Sequence, residues 1–393
     1  MLVNNPHHDK IFANQMKGIL QQMKVFLQVI CKKLHFQLIK WIKNCRLYSF
    51  LHFPHKILYI NIVLIFCLLC TSCNTFSAKK PISRTGFYFD TVITIQIFDK
   101  KDEKLLDSCM DLCSEMEKTF SKTDQNSELY RLNNDLLPKN EDNSYTISPD
   151  LYAVLDKGME FSQKTGNLFS ICLGTITNLW DFGTQTASDT PKTPSADSIK
   201  TALTHTNTDS VILLTENRIQ ITDSDMDLDL GGIAKGYIAD KLKAYLVSEG
   251  VKSAIIDLGG NLVCIGSKNN QPYTIGIQRP FADRSETIAT MKITDKSVVS
   301  SGIYERYFMM DDVLYHHILD PATGYPYEND LLSVTIVAEK SVDADALSTS
   351  AFALGLENGL QFIEEYPGAD AVFITKDGNL HYTEDFENKY HVK

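Results

Sequence analysis

Residues 227–240 read DLDLGGIAKGYIAD. Apolar and acidic residues alternate up to Leu230, a glycine pair follows at Gly231 and Gly232, and an amphipathic run bearing Lys235 begins beyond it. A strand therefore passes through a tight turn into a helix. Glycine lets backbone approach a ligand closely, and a helix N-terminus favours anions, so the turn suits a phosphate. It is neither a Walker A motif nor GxGxxG. Taken alone, it leaves a ligand loop and a purely structural turn both open.

The rest of the chain alternates the same two kinds of element. Residues 87–98, FYFDTVITIQIF, have the β-branched and aromatic alternation of a strand, and residues 104–120 carry apolar residues at helical spacing. Further helices are expected at 149–165, 236–248, 344–355 and 359–366, and strands at 210–215, 218–221, 254–258, 273–277, 297–299, 332–337 and 371–375. Residues 184–196, TQTASDTPKTPSA, read as a Ser/Thr/Pro-rich surface loop. Strands and helices mix without a regular βαβ period, which points to an α+β fold rather than a doubly wound sheet.

Charge divides the chain in two. Residues 1–73 hold nine Lys and Arg against one acid, Asp9, so the remainder carries −19 of the overall −11. An acidic body of this kind excludes nucleic acid as a partner, because phosphate backbones are held by clustered Lys and Arg. Five of nine cysteines also fall in residues 1–73. The other four, Cys109, Cys113, Cys172 and Cys264, form no disulfide framework and are expected as buried thiols. Residues 57–69, ILYINIVLIFCLL, follow a basic flank and precede Cys-Thr-Ser-Cys; the run is short for a membrane span and has the layout of a signal peptide. Thr71 and Ser72 before Cys73 resemble a lipobox, which makes Cys73 the expected lipidation site; an uncleaved signal anchor is the alternative. The domain layout expected is a leader over 1–73, a polar tether over 74–84 and a folded body over 85–392. That layout predicts an exported lipoprotein facing the periplasm or cell exterior.

Two further segments carry chemistry. In SVDADALSTSAFALG, residues 341–355, Asp345 and Thr349 are spaced i, i+4 and share one helix face. A carboxylate and a hydroxyl near a helix start can be simple capping, yet hard oxygen ligands are also what magnesium takes, in sites it completes with substrate phosphates. In YHHILDPATGYP, residues 315–326, two histidines end a strand before an Asp-Pro turn; His317 is a candidate for proton transfer near neutral pH, and a packed histidine is the alternative.

FDTVITI (89–95), FSKTDQNSELYRLN (120–133), TGNLFSICLGTITNLWDFG (165–183), DLGGIAKGYIAD, DLGGNL (257–262), SSGIYERYF (300–308), HILDPATGYP and DADALST occur in this order. Together they resemble the ApbE family from about 85 to 392. The resemblance implies an α+β fold with mixed sheets and flanking helices that binds FAD in an extended cleft, with Mg2+ on the pyrophosphate. It also implies transfer of FMN from FAD to a Thr or Ser hydroxyl with release of AMP. Carried over by position, Asp345 and Thr349 match metal ligands, Ser348 is a further candidate, and Gly232 matches a backbone-oxygen ligand. Phe89, Thr123, Asp229, Lys235 and Ile318 match flavin-contacting positions, and Phe169, Ser170 and Ile171 a segment along the ligand. Phe89-Asp90 stands where the family commonly has Met-Gly, Thr123 where it has an aromatic, and Ser170 where it has Asp. His317 is the expected base and Asp229 the alternative. The implied partner is a flavoprotein with a Ser/Thr-Gly-Ala-Thr type acceptor sequence, in a membrane redox complex. Residues 320–326 begin like such an acceptor but lack its Ala-Thr end, and read as a structural turn. An FAD pyrophosphatase yielding FMN and AMP, and a non-catalytic FAD-binding lipoprotein, are the competing readings.

Overall fold

The computed structural model describes residues 80–182 and 192–393. The leader, Cys73 and most of the 184–196 loop lie outside the described residues. The body opens with a hairpin, β1 (Ile82–Tyr88) and β2 (Thr91–Ile97), so residues 82–84 belong to the fold and not to the tether. The single strand expected over 87–98 is thereby corrected to two strands. Phe89 and Asp90 form the turn between them with φ of 54° and 56°, a two-residue left-handed turn that its residue types do not announce. Next come α1 (Lys104–Phe120), α2 (Glu128–Asn133), the short β3 (Tyr145–Thr146), α3 (Pro149–Lys164), α4 (Gly174–Trp180) and α5 (Ala196–Leu203). Then follow β4 (Val211–Leu214), β5 (Arg218–Ile221), α6 (Ala234–Ser248), and β6 to β10 at Ser253–Leu258, Asn261–Gly266, Tyr273–Gln278, Thr287–Ile293 and Ser297–Gly302. The chain ends with β11 (Tyr307–Met310), β12 (Val313–His316), β13 (Leu331–Ala338), α7 (Ser341–Leu354), α8 (Leu356–Glu364), β14 (Asp370–Thr375), β15 (Leu380–Tyr382) and α9 (Phe386–Tyr390).

Eight strands form the main sheet in the order β1-β2-β6-β7-β10-β13-β14-β15. Every neighbouring pair in it is antiparallel. What is mixed is the succession of strand and helix along the chain, not strand direction. Alternation along the central strands feeds two cores. In β14, Ala371 and Phe373 join the helix-covered core, while Val372 and Ile374 join a second core under the β8–β9 hairpin and α9. A strand buried on both faces reads as a continuous apolar run, as DAVFIT does. The four cysteines of the body are free and buried, as expected, and burial pushes their thiols up to about 12. Among the described residues no helix is long and apolar enough to cross a membrane.

A third cluster places the histidine segment. Trp180 at the end of α4 stacks with Phe182 and packs against Phe308 and Tyr315, which are paired across the β11–β12 hairpin. Trp180 Nε1 also donates to the carbonyl of Gly324 at 2.7 Å. The hairpin and the turn after it are thus anchored on one indole. Within that turn the Gly324 amide donates to the Asp320 carbonyl and the Ala322 amide to the Asp320 carboxylate.

Candidate functional site

The two helices that carry the chemistry cap each other. Asp240, in the middle of α6, accepts from the Ser341 and Val342 amides at the start of α7, at 2.9 and 3.0 Å. Asp345, one turn into α7, accepts from the Gly236 amide at the start of α6, at 2.8 Å. Each carboxylate satisfies amides that a helix start leaves without partners. The crossing is close because position 236 has no side chain: a Cβ there would stand 2.3 Å from the Ser341 carbonyl oxygen. Asp345 does cap, as the plainer sequence reading allowed, but it caps the other helix and uses Oδ2 to do so.

Around Asp345 the oxygens multiply. Ser301 Oγ, at the end of β10, lies 2.7 Å from Ser348 Oγ and 3.2 Å from Thr349 Oγ1. A Cβ on Gly232 would lie 3.6 Å from Thr349 Oγ1 and 3.1 Å from the Phe169 ring, so the glycine turn abuts the same cluster. Asp345 is almost fully buried. Burial raises its pKa, opposed by the Lys235 charge, the Gly236 amide and the Asn261 side chain. A buried carboxylate with one lysine for compensation, beside three hydroxyls, is a hard-oxygen donor set that fits magnesium. Gly232, Asp345, Ser348 and Thr349 are therefore brought together, and Ser301 joins them.

Lys235 links this cluster to the histidines. Its Nζ donates to the Gly231 carbonyl at 3.1 Å, and its charge acts on both Asp345 and His317. His316 is buried with both ring nitrogens engaged, Nε2 on the Tyr327 carbonyl and Nδ1 accepting from the Ile318 amide. His317 is different. Its Nδ1 lies 3.2 Å from the Arg306 carbonyl, which can only accept, so Nδ1 holds the proton and Nε2 keeps a lone pair. Burial, then the charges of His316, Arg306 and Lys235, push its pKa down to about 3, so the ring is neutral at pH 7.

Asp229 stands across the glycine turn. Its Oδ2 accepts from Lys122 Nζ at 2.7 Å and Thr177 Oγ1 at 2.6 Å, and its Oδ1 from the Gly231 amide at 2.8 Å. Burial would raise its pKa, but the Lys122 charge and these donors outweigh that and hold it at about 2. A carboxylate so engaged is a weak base and a good anchor. The Asp229 amide donates to the Ile171 carbonyl, which seats the 169–171 segment beside it, with Phe169 and Ile171 buried and Ser170 Oγ accepting from the Cys172 amide. Ile318 is buried under the histidine strand end. Thr123 is exposed, its hydroxyl 3.3 Å from Ser121, and its neighbour Lys122 is the residue that reaches inward. Phe89 sits at the β1–β2 turn with its amide donating to Glu117. These bonds tie both residues to the α1 end of the body and not to the Asp345 cluster. Sequence reasoning missed Lys122, Thr177 and Ser301 as site residues; only Ser301 had a signal, the Ser-Ser-Gly turn. A separate His205, Asp223 and Asp225 group comes within 4.8 Å, with His205 Nδ1 bonded to Asp223.

The sequence model of the ApbE family matches residues 89–373, well over half the chain. The chain belongs to the ApbE family. A relative from Treponema pallidum, named FAD:protein FMN transferase, is 33% identical over 340 residues, covering 81% of this chain and 92% of its own. A Klebsiella pneumoniae relative of the same name is 38% identical over 236 residues, covering 60% and 72%. Among solved structures, the ApbE protein of Thermotoga maritima superimposes with a TM-score of 0.70 at 29% identity, over 79% of this chain and 99% of that one. The ApbE match includes every site residue named above, from Phe89 to Thr349.

Proposed function

We propose that this ApbE-family chain is an FAD:protein FMN transferase. The oxygen of a Ser or Thr hydroxyl on another protein bonds to the phosphorus on the FMN side of the FAD pyrophosphate. The bond from that phosphorus to the bridging oxygen breaks, and AMP leaves with the oxygen. The observation that carries this reading is the meeting, around the Gly231–Gly232 turn, of a lysine and a buried carboxylate among hydroxyls, with a neutral histidine whose Nε2 is free near enough to feel the lysine's charge. Nε2 of His317 takes the hydroxyl proton. Lys235 offsets negative charge on the phosphates. Asp345, Thr349, Ser348 and the Gly232 carbonyl would hold Mg2+, which when bound supplies further positive charge to the pyrophosphate. Phe89, Thr123, Phe169 to Ile171, Asp229 and Ile318 serve the flavin nucleotide by kinship. In the same reading Cys73 carries a lipid anchor, the body is exported, and the acceptor is a membrane-complex flavoprotein with a Ser/Thr-Gly-Ala-Thr type sequence.

The test is to mix the protein with FAD, Mg2+ and an acceptor peptide and weigh the peptide intact. It gains one FMN, EDTA stops the gain, and Mg2+ restores it. Asp345→Asn lowers transfer more than Thr349→Ala, because the carboxylate carries charge and the hydroxyl can be replaced by water; extra Mg2+ partly rescues only the latter. Full transfer in EDTA overturns the metal assignment, and free FMN with an unmodified peptide overturns the transferase in favour of hydrolysis.

A further inference from the structure

Lys122 lies in the loop between α1 and α2, far in sequence from the glycine turn, and all three of its ammonium protons have acceptors. It donates to Asp229 Oδ2 at 2.7 Å, Thr177 Oγ1 at 2.7 Å and Asn178 Oδ1 at 3.1 Å. Three separate segments therefore meet on one charge: the 121–127 loop, α4, and residues 227–230 before Gly231, which the sequence pattern suggested as a strand but which form none in the structure. The connection continues inward. Asp229 Oδ1 receives the Gly231 amide, the Gly231 carbonyl receives Lys235 Nζ, and Gly232 abuts Thr349. A second acid, Asp227, lies close enough for its charge to interact with Asp229, and it is held by Asn178 at 2.8 Å. Without a cation, Asp229, with the charge of Asp227 near it, would face a turn read as a dinucleotide phosphate site, and like charges repel.

We propose that Lys122 is a positioning residue for this site: by pairing with Asp229 it sets the Gly231–Gly232 turn and screens the two aspartates, so that an anionic dinucleotide can approach Lys235. This rests on the proposed FAD chemistry, but it concerns binding, which can be measured apart from transfer. The pair is only partly buried, at 27% and 17% side-chain exposure, so a moderate effect is expected, about tenfold in FAD affinity.

The experiment is a double-substitution cycle on Lys122 and Asp229, read by quenching of flavin fluorescence on FAD binding and separately by the KM for FAD and kcat of transfer. Lys122→Met weakens FAD binding and raises KM about tenfold with a smaller change in kcat, and Lys122→Arg, which keeps the charge, retains more affinity than Met. In an Asp229→Asn background, Lys122→Met adds little, because the charge it answers is gone. Thermal unfolding of each variant identifies any that fails to fold; if Lys122→Met does, Lys122→Gln takes its place in the cycle. The proposal is overturned if Lys122→Met binds FAD as wild type does, or if its loss is the same in both backgrounds. A wild-type protein that binds FAD but transfers nothing sinks the transferase reading and leaves the binding cycle intact.

Discussion

At His317 one hydrogen bond decides which nitrogen can act. The Arg306 carbonyl fixes the proton on Nδ1 and leaves Nε2 basic, while His316, one residue earlier, has both nitrogens engaged. YHH shows two histidines but not which one is free, because that depends on which backbone groups the hairpin brings to each ring. His317→Asn is expected to slow FMN transfer by about two to four orders of magnitude while FAD affinity stays near wild type; an equal loss in binding would make it a packing residue. The pH dependence follows. In the fold His317 sits at about 3 and His316 at about 4, against 6.5 for the free side chain. Between those values the unfolded chain binds more protons, so their contribution to stability is complete above pH 6.5 and is lost as pH falls toward 4 and then 3. The acid limb of kcat/KM should accordingly fall well below 6.5, and a limb at 6.5 would mean that His317 is solvated in the working enzyme.

The pair α6 and α7 is the element on which the site depends, and it was legible only by halves. Both helices were expected within a few residues of their observed ends, and Asp345 and Thr349 were rightly placed on a single face. What no periodicity contains is the exchange of caps, since it joins Asp240 to Ser341 and Asp345 to Gly236 across about a hundred residues of chain. Gly236 shows why. In sequence it is merely a weak helix residue, whereas in the fold it is the point where α7 crosses α6. Gly236→Ala keeps the amide that Asp345 needs but puts a methyl against the Ser341 carbonyl. The expected result is a loss of about 1–3 kcal/mol or more in urea unfolding, with weaker FAD binding in step. A variant as stable as wild type would mean that the helices can separate without cost, and that the Asp345 position is not set by this contact. The β1–β2 turn failed for a similar reason: Phe89-Asp90 lacks the Asn-Gly or Gly signature of a two-residue hairpin, so strand and turn merged into one run.

At the scale of the molecule, the strands were mostly legible and their order was not. β2 pairs with β6, Ile93 against Leu258, although α1 to α6 all lie between them along the chain. Such non-local pairing leaves no local pattern. Residues 79–393 form one compact unit, and among the described residues its cores begin at Ile82. Every proposed metal, base and flavin residue lies in that unit, and Cys73, the proposed site of a lipid anchor, does not. Attachment and chemistry should therefore separate cleanly. A chain beginning at Lys80 is expected to bind FAD and to flavinylate a soluble acceptor peptide at close to the full-length rate. Cys73→Ala in the full chain should lose palmitate label and leave transfer to the same peptide unchanged. Transfer to an acceptor embedded in the membrane should fall in both, because the anchor raises the local concentration of enzyme at that surface. Label retained by Cys73→Ala would move the anchor elsewhere. A Lys80 chain that folds but cannot bind FAD would mean that residues before Lys80 complete the site.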